Sequence, residues 1–168
     1  MSSPASPDDA TDPYRHALPD GGAPGDAPFW YTTPLSAMSR AQWESLCDHC
    51  GKCCLNKYED EDTGAMHYTA VACRLLDQER GCCGDYANRA ARVEDCVTLT
   101  LEHLREPAWL PETCAYRRVA EGRPLPAWHP LLSGDPDSVR RAGQCVHGRV
   151  LDESDVEDPL LYLIDWVR

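Results

Sequence analysis

The chain has 168 residues and sets 16 lysines and arginines against 28 aspartates and glutamates, a formal net charge of −12. That length holds one domain and a tail, and scattered bases within surplus acid exclude the basic footprint of a nucleic-acid-binding protein. With 10 cysteines, 14 prolines, 11 glycines and a single phenylalanine, the apolar core is thin, and a metal cross-link would help to hold it.

No segment approaches the roughly 18 apolar residues of a membrane span. The first 28 residues have neither a basic n-region nor an apolar h-region, so they do not read as a secretory signal. The expectation is a cytoplasmic protein with no membrane partner. In a reducing compartment, clustered cysteines are ligands more often than stable disulfides.

In chain order, residues 1–28 are rich in Pro, Gly, Ala, Ser and Asp without periodicity, which predicts a disordered N-terminal tail. Residues 29–168 form the domain, and Phe29-Trp30-Tyr31 marks the start of packing. Ser39 followed by Gln42 has the spacing of a capping box. It opens a helix that turns Trp43 and Leu46 to the core and delivers Cys47 at its end. Gly51 lets the backbone turn sharply. Residues 54–70 read as a hairpin with its turn near Asp62-Thr63-Gly64. The acidic run Glu59 to Asp62 reads as a solvated loop.

Further on, Ala70 to Leu76 is a short apolar stretch carrying Cys73, and Asp77 to Gly84 reads as a loop holding Cys82 and Cys83. A helix is expected within 85–96. Thr98 is placed as the cap of a short helix reaching Leu104. Pro111 suits the first turn of another, ending before Gly122 and presenting Cys114, Tyr116 and Val119. Arg123 to Asp137 reads as an extended wrapping loop, Cys145 to Leu151 as a strand, and Leu160 to Val167 as a docked helix or strand.

The densest chemistry is the string CDHCGKCC, which places Cys47, Cys50, Cys53 and Cys54 within eight residues. Two residues between sulfurs let both side chains of a C-x-x-C turn point inward, a strong arrangement for zinc or iron. A redox dithiol is the competing reading, but no βαβ pattern surrounds the string. Adjacent Cys53 and Cys54 do not reach one metal at good tetrahedral angles. The doublet therefore implies two metals, a bridged cluster, or one ligand beside one packed thiol. Cys73, Cys96, Cys114 and either Cys82 or Cys83 can complete the count. Cys145 reads as a small buried hydrophobe. His49 points outward from its turn, and His129 bonds backbone in a packed loop or orients a ligand from behind. No nucleophile elbow, phosphate loop, dinucleotide fingerprint or HExxH motif is present. No catalytic set can be assembled, so a binding protein is expected rather than an enzyme.

The strings CDHCGKCC, VACRLLD, CCGDY, DCVTLT and WLPETCAYRRVAEGRPLPAWHPLLSG, in this order, resemble the YcgN-type cysteine-cluster family of zinc- or iron-chelating C-x-x-C-x-x-C-C domains. The resemblance covers about residues 29–135. It implies metal ligation by Cys47, Cys50, Cys53, Cys54, Cys73, Cys83, Cys96 and Cys114, with Cys83 favoured over Cys82 by its place before Gly84-Asp85-Tyr86. It fixes no biochemical role.

The expectation is therefore an α+β fold: a small, irregular, cysteine-rich, metal-stabilised domain with short helices and a hairpin. Its function is to bind zinc or iron structurally and to act through an unknown protein partner. An iron–sulfur protein in redox or electron transfer, and a metal storage or delivery protein, are the alternatives.

Overall fold

The computed structural model describes residues 27–168. The expected tail over residues 1–28 lies, apart from its last two residues, outside the described residues. The first helical turn, α1 (Phe29–Thr32), follows Pro28 and buries Trp30, with the Phe29 ring edge-on to it at 5.2 Å. A 3-10 turn over Leu35–Ala37 leads to α2 (Arg40–Ser45). The capping box forms as expected: Ser39 N donates to Gln42 Oε1 at 2.9 Å and Gln42 N donates to Ser39 Oγ at 3.2 Å. These bonds satisfy two of the N–H groups that a helix start leaves unpaired. Leu46 just beyond the helix is fully buried, and Cys47 follows it.

The chain then reverses at Gly51, whose φ of 75° lies in the left-handed region. A Cβ there would meet Val146 Cγ2 at 2.7 Å, so glycine is needed for both conformation and space. A 3-10 turn over Lys52–Cys54 feeds β1 (Leu55–Glu59), which pairs antiparallel with β2 (Met66–Ala72), with a register irregularity between Leu55 and Lys57. The connecting turn is held by Asp60, whose carboxylate accepts from the backbone N–H groups of Asp62 and Thr63 and from the Thr63 hydroxyl. The acidic run is thus an exposed hairpin turn. β2 is the central strand, flanked by β1 and by the parallel β5 (Leu151–Asp152). Its buried residues Tyr68, Thr69, Val71 and Ala72 face both ways because both faces are covered.

Several expectations need correction. The segment 77–84 is a second, minimal hairpin, β3 (Leu76–Asp77) against β4 (Cys82–Cys83). Two-residue strands are too short to show an alternation. Within 85–96 the expected helix forms, as the single turn α3 (Arg89–Arg92). Thr98 caps nothing: the helical turn is a 3-10 segment over Glu102–Leu104, and Thr100 meets His103 Nδ1 through its hydroxyl at 2.8 Å. The next helix, α4 (Ala115–Ala120), starts later than Pro111 suggests, because Pro111 to Cys114 closes a separate turn and Cys114 takes the N-cap position. The wrapping loop contains a further turn, α5 (Pro130–Ser133), and α6 (Ser138–Arg141) follows it. Of the segment Cys145 to Leu151, only Leu151 is strand. The chain end takes a 3-10 turn over Pro159–Tyr162, bridges Thr69 through Leu163, and finishes with the Arg168 carbonyl accepting from Glu112 N.

The architecture is a small irregular α+β domain of short helices around small mixed sheets. Its interior is two apolar clusters. One gathers Trp30, Leu35, Leu46, Leu104, Leu110, Ala115, Tyr116, Val119 and Leu125 from the helical segments. The other gathers Leu55, Tyr68, Ala72, Leu76, Val146 and Val167 around the sheet. Cys47 and Cys114 pack against the first, and Cys54 against the second, so the cysteine string runs along the seam. Among the described residues no helix is long and apolar enough to cross a membrane.

Candidate metal centre

Each cysteine of the string is set by local backbone. Helix α2 ends in an αR residue, Leu46, and releases Cys47 into the seam. The Asp48 side chain is buried and accepts from Cys50 N at 3.2 Å, which fixes the C-x-x-C turn from inside. His49 takes φ 57°, the sole non-glycine with positive φ among the described residues, and stays exposed. Its carbonyl is covered by Gly81, where a Cβ would stand 1.9 Å from His49 O. The β3–β4 turn therefore docks directly on the C-x-x-C backbone.

The ten cysteines are all free thiols. Four of them form one neighbourhood: Cys47, Cys50 and Cys114 each feel the charge of Cys53, Cys47 also that of Cys114 and Cys50 also that of Cys47, and Asp48 acts on all four. Burial pushes the Cys47 and Cys50 thiols well up and Cys114 up to about 12, and the neighbouring negative charges push the same way. Backbone N–H groups favour the thiolates in return: His49 N–H at Cys47, Lys52 N–H at Cys50, and the Arg117 and Tyr116 N–H groups at Cys114. At Cys114 they do so without closing a side-chain cap bond.

A second neighbourhood adjoins it. Cys54 feels Cys73, and Cys73 feels Cys96. Leu75 N donates to Cys73 Sγ at 3.5 Å, and Cys73 N donates to the Cys54 carbonyl at 2.9 Å. The doublet joins the two groups. A hydrogen bond shared with Cys54 pulls the Cys53 thiol down, and the same bond pushes Cys54 up. Cys83 pairs in β4 opposite Leu76 and is half-buried. Its place in either neighbourhood is carried by no contact. Cys82 sits beside it, opposite Asp77, and Cys145 lies near Lys52.

Among the described residues, no three His, Cys, Asp or Glu side chains close on one point as a bound ion would require. The donor set nevertheless fits zinc or iron in kind. These are soft sulfurs, of which Cys47, Cys50, Cys54, Cys73 and Cys114 resist ionisation alone while Cys53 does not, and a bound cation would deprotonate them outright.

Two kinds of residue around the sulfurs complete the picture. His129 is fully buried. Leu131 N donates to its Nδ1 at 3.1 Å, so the other nitrogen carries the proton and Nε2–H donates to the Leu46 carbonyl at 2.9 Å. It thereby holds the residue before Cys47, as a packed loop histidine bonding backbone. Lys52 and Lys57 were not singled out from the sequence. Both ammonium groups are pulled below the usual lysine range by burial, while the nearby thiols oppose this: Cys50 at Lys52, and Cys53 and Cys54 at Lys57.

Residues 46–115 match the family model "CxxCxxCC: Putative zinc- or iron-chelating domain". The chain is 56% identical over 143 residues to a UPF0260 protein of Parvibaculum lavamentivorans, covering 84% of this chain and 94% of that one. It is 57% identical over 141 residues to a UPF0260 protein of Rhizorhabdus wittichii, covering 84% and 97% respectively. A UPF0260 protein of Sinorhizobium fredii is 56% identical over 144 residues, covering 84% and 93%. The fold and site thus define a cysteine-cluster domain of the C-x-x-C-x-x-C-C class. The chain belongs to the UPF0260 family. No solved structure matches it.

Proposed function

We propose that this protein binds zinc or iron through two adjoining thiolate sets and that the metal cross-links its two apolar clusters. Cys47, Cys50, Cys53 and Cys114 supply one set. Cys54, Cys73 and Cys96 supply the other, with Cys83 as its fourth member. The observation that carries this reading is the gathering of Cys114 with the C-x-x-C-x-x-C cysteines across more than sixty residues of chain, at the seam between the clusters. Four sulfurs brought together without a disulfide, three of them pushed up by burial and by the charge of Cys53, are an arrangement that a soft cation relieves.

The role that follows is structural. The string ties two clusters that are each small. Metal analysis with visible absorption on the full chain, purified without oxygen, tests this. The expected result is bound zinc or iron that survives gel filtration and is lost together with the fold on chelation. A colourless zinc protein supports the structural reading, and a brown chromophore moves the assignment to an iron–sulfur centre. Cys145→Ser should leave the metal content intact. A protein that is metal-free as isolated and fully folded would overturn the proposal.

A further inference from the structure

The edge of the sheet opposite β1 carries a group of exposed apolar side chains. β1 lines one edge of β2, and β5 and Leu163 share the other: Leu151 stands opposite Val71 and Leu163 opposite Thr69. Thr69 and Val71 are two residues apart on one strand, so their partners lie on one face of the sheet, about 7 Å from each other. The 3-10 turn over Pro159–Tyr162 packs against β2 and brings three more large apolar groups to this edge. Leu151, Leu160, Leu161, Tyr162 and Leu163 are 43, 50, 78, 40 and 55% exposed. A single exposed leucine needs no explanation, but a gathering of this kind at one sheet edge marks a contact surface.

The charge around this patch is of one sign. Residues 151–165 hold six acids and no lysine or arginine. Of the six, Glu153 is paired, with Arg74. Asp155, Glu157, Asp158 and Asp165 are exposed, and among the described residues no ion pair joins any of them to a base. That sign selects the occupant. A second copy seated here would bring acid against acid, and each copy carries a net charge of −12. An anionic lipid surface is repelled in the same way. The chain's own first 26 residues hold five acids, one arginine and no apolar run, so they match neither the charge nor the patch.

We propose that this edge is a docking site for an amphipathic segment of another protein, one with an apolar stripe flanked by lysines and arginines. The stripe meets Leu160, Leu161 and Leu163, and the flanking bases meet the carboxylates of Asp155, Glu157, Asp158 and Asp165. Apolar burial supplies the affinity at the centre of such an interface, while the charges at its rim steer the approach and select the partner. None of these groups is a candidate metal ligand, so the surface is independent of the metal-binding reading above.

The probe is a synthetic helical peptide with leucines on one face and lysines along both flanks. Its binding to the full chain is measured by calorimetry, beside that of a peptide of the same composition with its leucines scattered. The striped peptide should bind, more weakly as salt is added, and the scattered one should not. Leu161→Gln/Leu163→Gln keeps every charge and should weaken binding about 10-fold or more. Leu161→Gln alone, at the most exposed position, serves where the double variant fails to fold. Glu157→Gln/Asp158→Asn should weaken binding several-fold and flatten its salt dependence, and Asn keeps an oxygen to accept from Leu160 N. Glu61→Gln/Asp62→Asn, on the β1–β2 turn, should change nothing. Failure of the striped peptide to bind would overturn the proposal. Equal binding of the scattered peptide, or by the leucine variants, would also overturn it, by reducing the effect to general attraction between base and acid. A wild-type dimer in light scattering that Leu161→Gln/Leu163→Gln turns to monomer would give the edge to a second copy instead. Binding to phosphatidylserine vesicles that the same variant abolishes would give it to a membrane.

Discussion

The helical cluster and the sheet cluster are stabilised by different contacts. In the first, nine buried residues interlock through large rings and specific polar anchors. Trp43 lies 5.0 Å from Tyr116, whose hydroxyl donates to the Trp43 carbonyl at 2.8 Å, and His129 locks Leu46 from behind. The second has six buried residues, mostly aliphatic, and depends on ladder hydrogen bonds of a short three-stranded sheet. Small sheets of this kind are marginal alone. The difference teaches that the sheet side leans on the seam more than the helical side does, and that substitutions should not be felt evenly.

The largest effect should come from the seam itself. Cys50 is buried in the turn between the two clusters. Cys50→Ser should lower metal content and destabilise the whole domain, since structural zinc contributes on the order of 10 kcal/mol to a small fold. Metal stoichiometry and a thermal melt report it. Full metal with an unchanged melt would show that the seam is not cross-linked through this residue. Next comes Gly81, where any Cβ strikes the His49 carbonyl and φ is 66°. Gly81→Ala should cost about 3 kcal/mol, because backbone rather than a flexible side chain must give way. Hydrogen exchange should loosen first around β3, β4 and the C-x-x-C turn. Equal loosening in α2 and α4 would erase the contrast between the two sides.

His129→Ala probes the helical side. It leaves the Leu46 carbonyl and the Leu131 N–H without their partner and opens a cavity, at a cost of about 2–3 kcal/mol. Denaturant midpoints give the magnitude, and exchange protection lost in α2 while β1 and β2 keep theirs would sharpen the comparison. The smallest change is Ser39→Ala, which removes one half of the capping box at an exposed helix start and should cost about 1 kcal/mol. A midpoint shift indistinguishable from zero would mean that α2 is held by packing alone.

What could be read in advance follows the range of the interactions. The Ser39–Gln42 box, the turn at Gly51 and the hairpin around Asp60 to Gly64 are decided within a few residues, and each forms where the local pattern puts it. The β3–β4 pair is two residues a side, below the length at which alternation can speak. The strand expected from Cys145 shrinks to Leu151–Asp152 because its pairing depends on β2, some eighty residues earlier. The α4 start moved because Cys114 can cap a helix with its backbone conformation alone, which residue preference does not anticipate. At the centre, spacing pointed to Cys47, Cys50, Cys53 and Cys54, the family resemblance supplied the four distal candidates, and His129 was legible from its proline-flanked loop. Lys52 and Lys57 were not, because a lysine in a polar string looks solvated until its partners, Thr113 and Gln144 or the Tyr68 and Trp109 rings, arrive from elsewhere in the chain.

The route of the last residues has a practical corollary. From the bridge at Thr69 the chain crosses the sheet side and ends with Arg168 against Glu112, two residues before Cys114. Any polypeptide fused after Arg168 therefore emerges beside a candidate ligand. A polyhistidine tag placed there would set imidazoles next to Cys114 and contribute an ion count of its own.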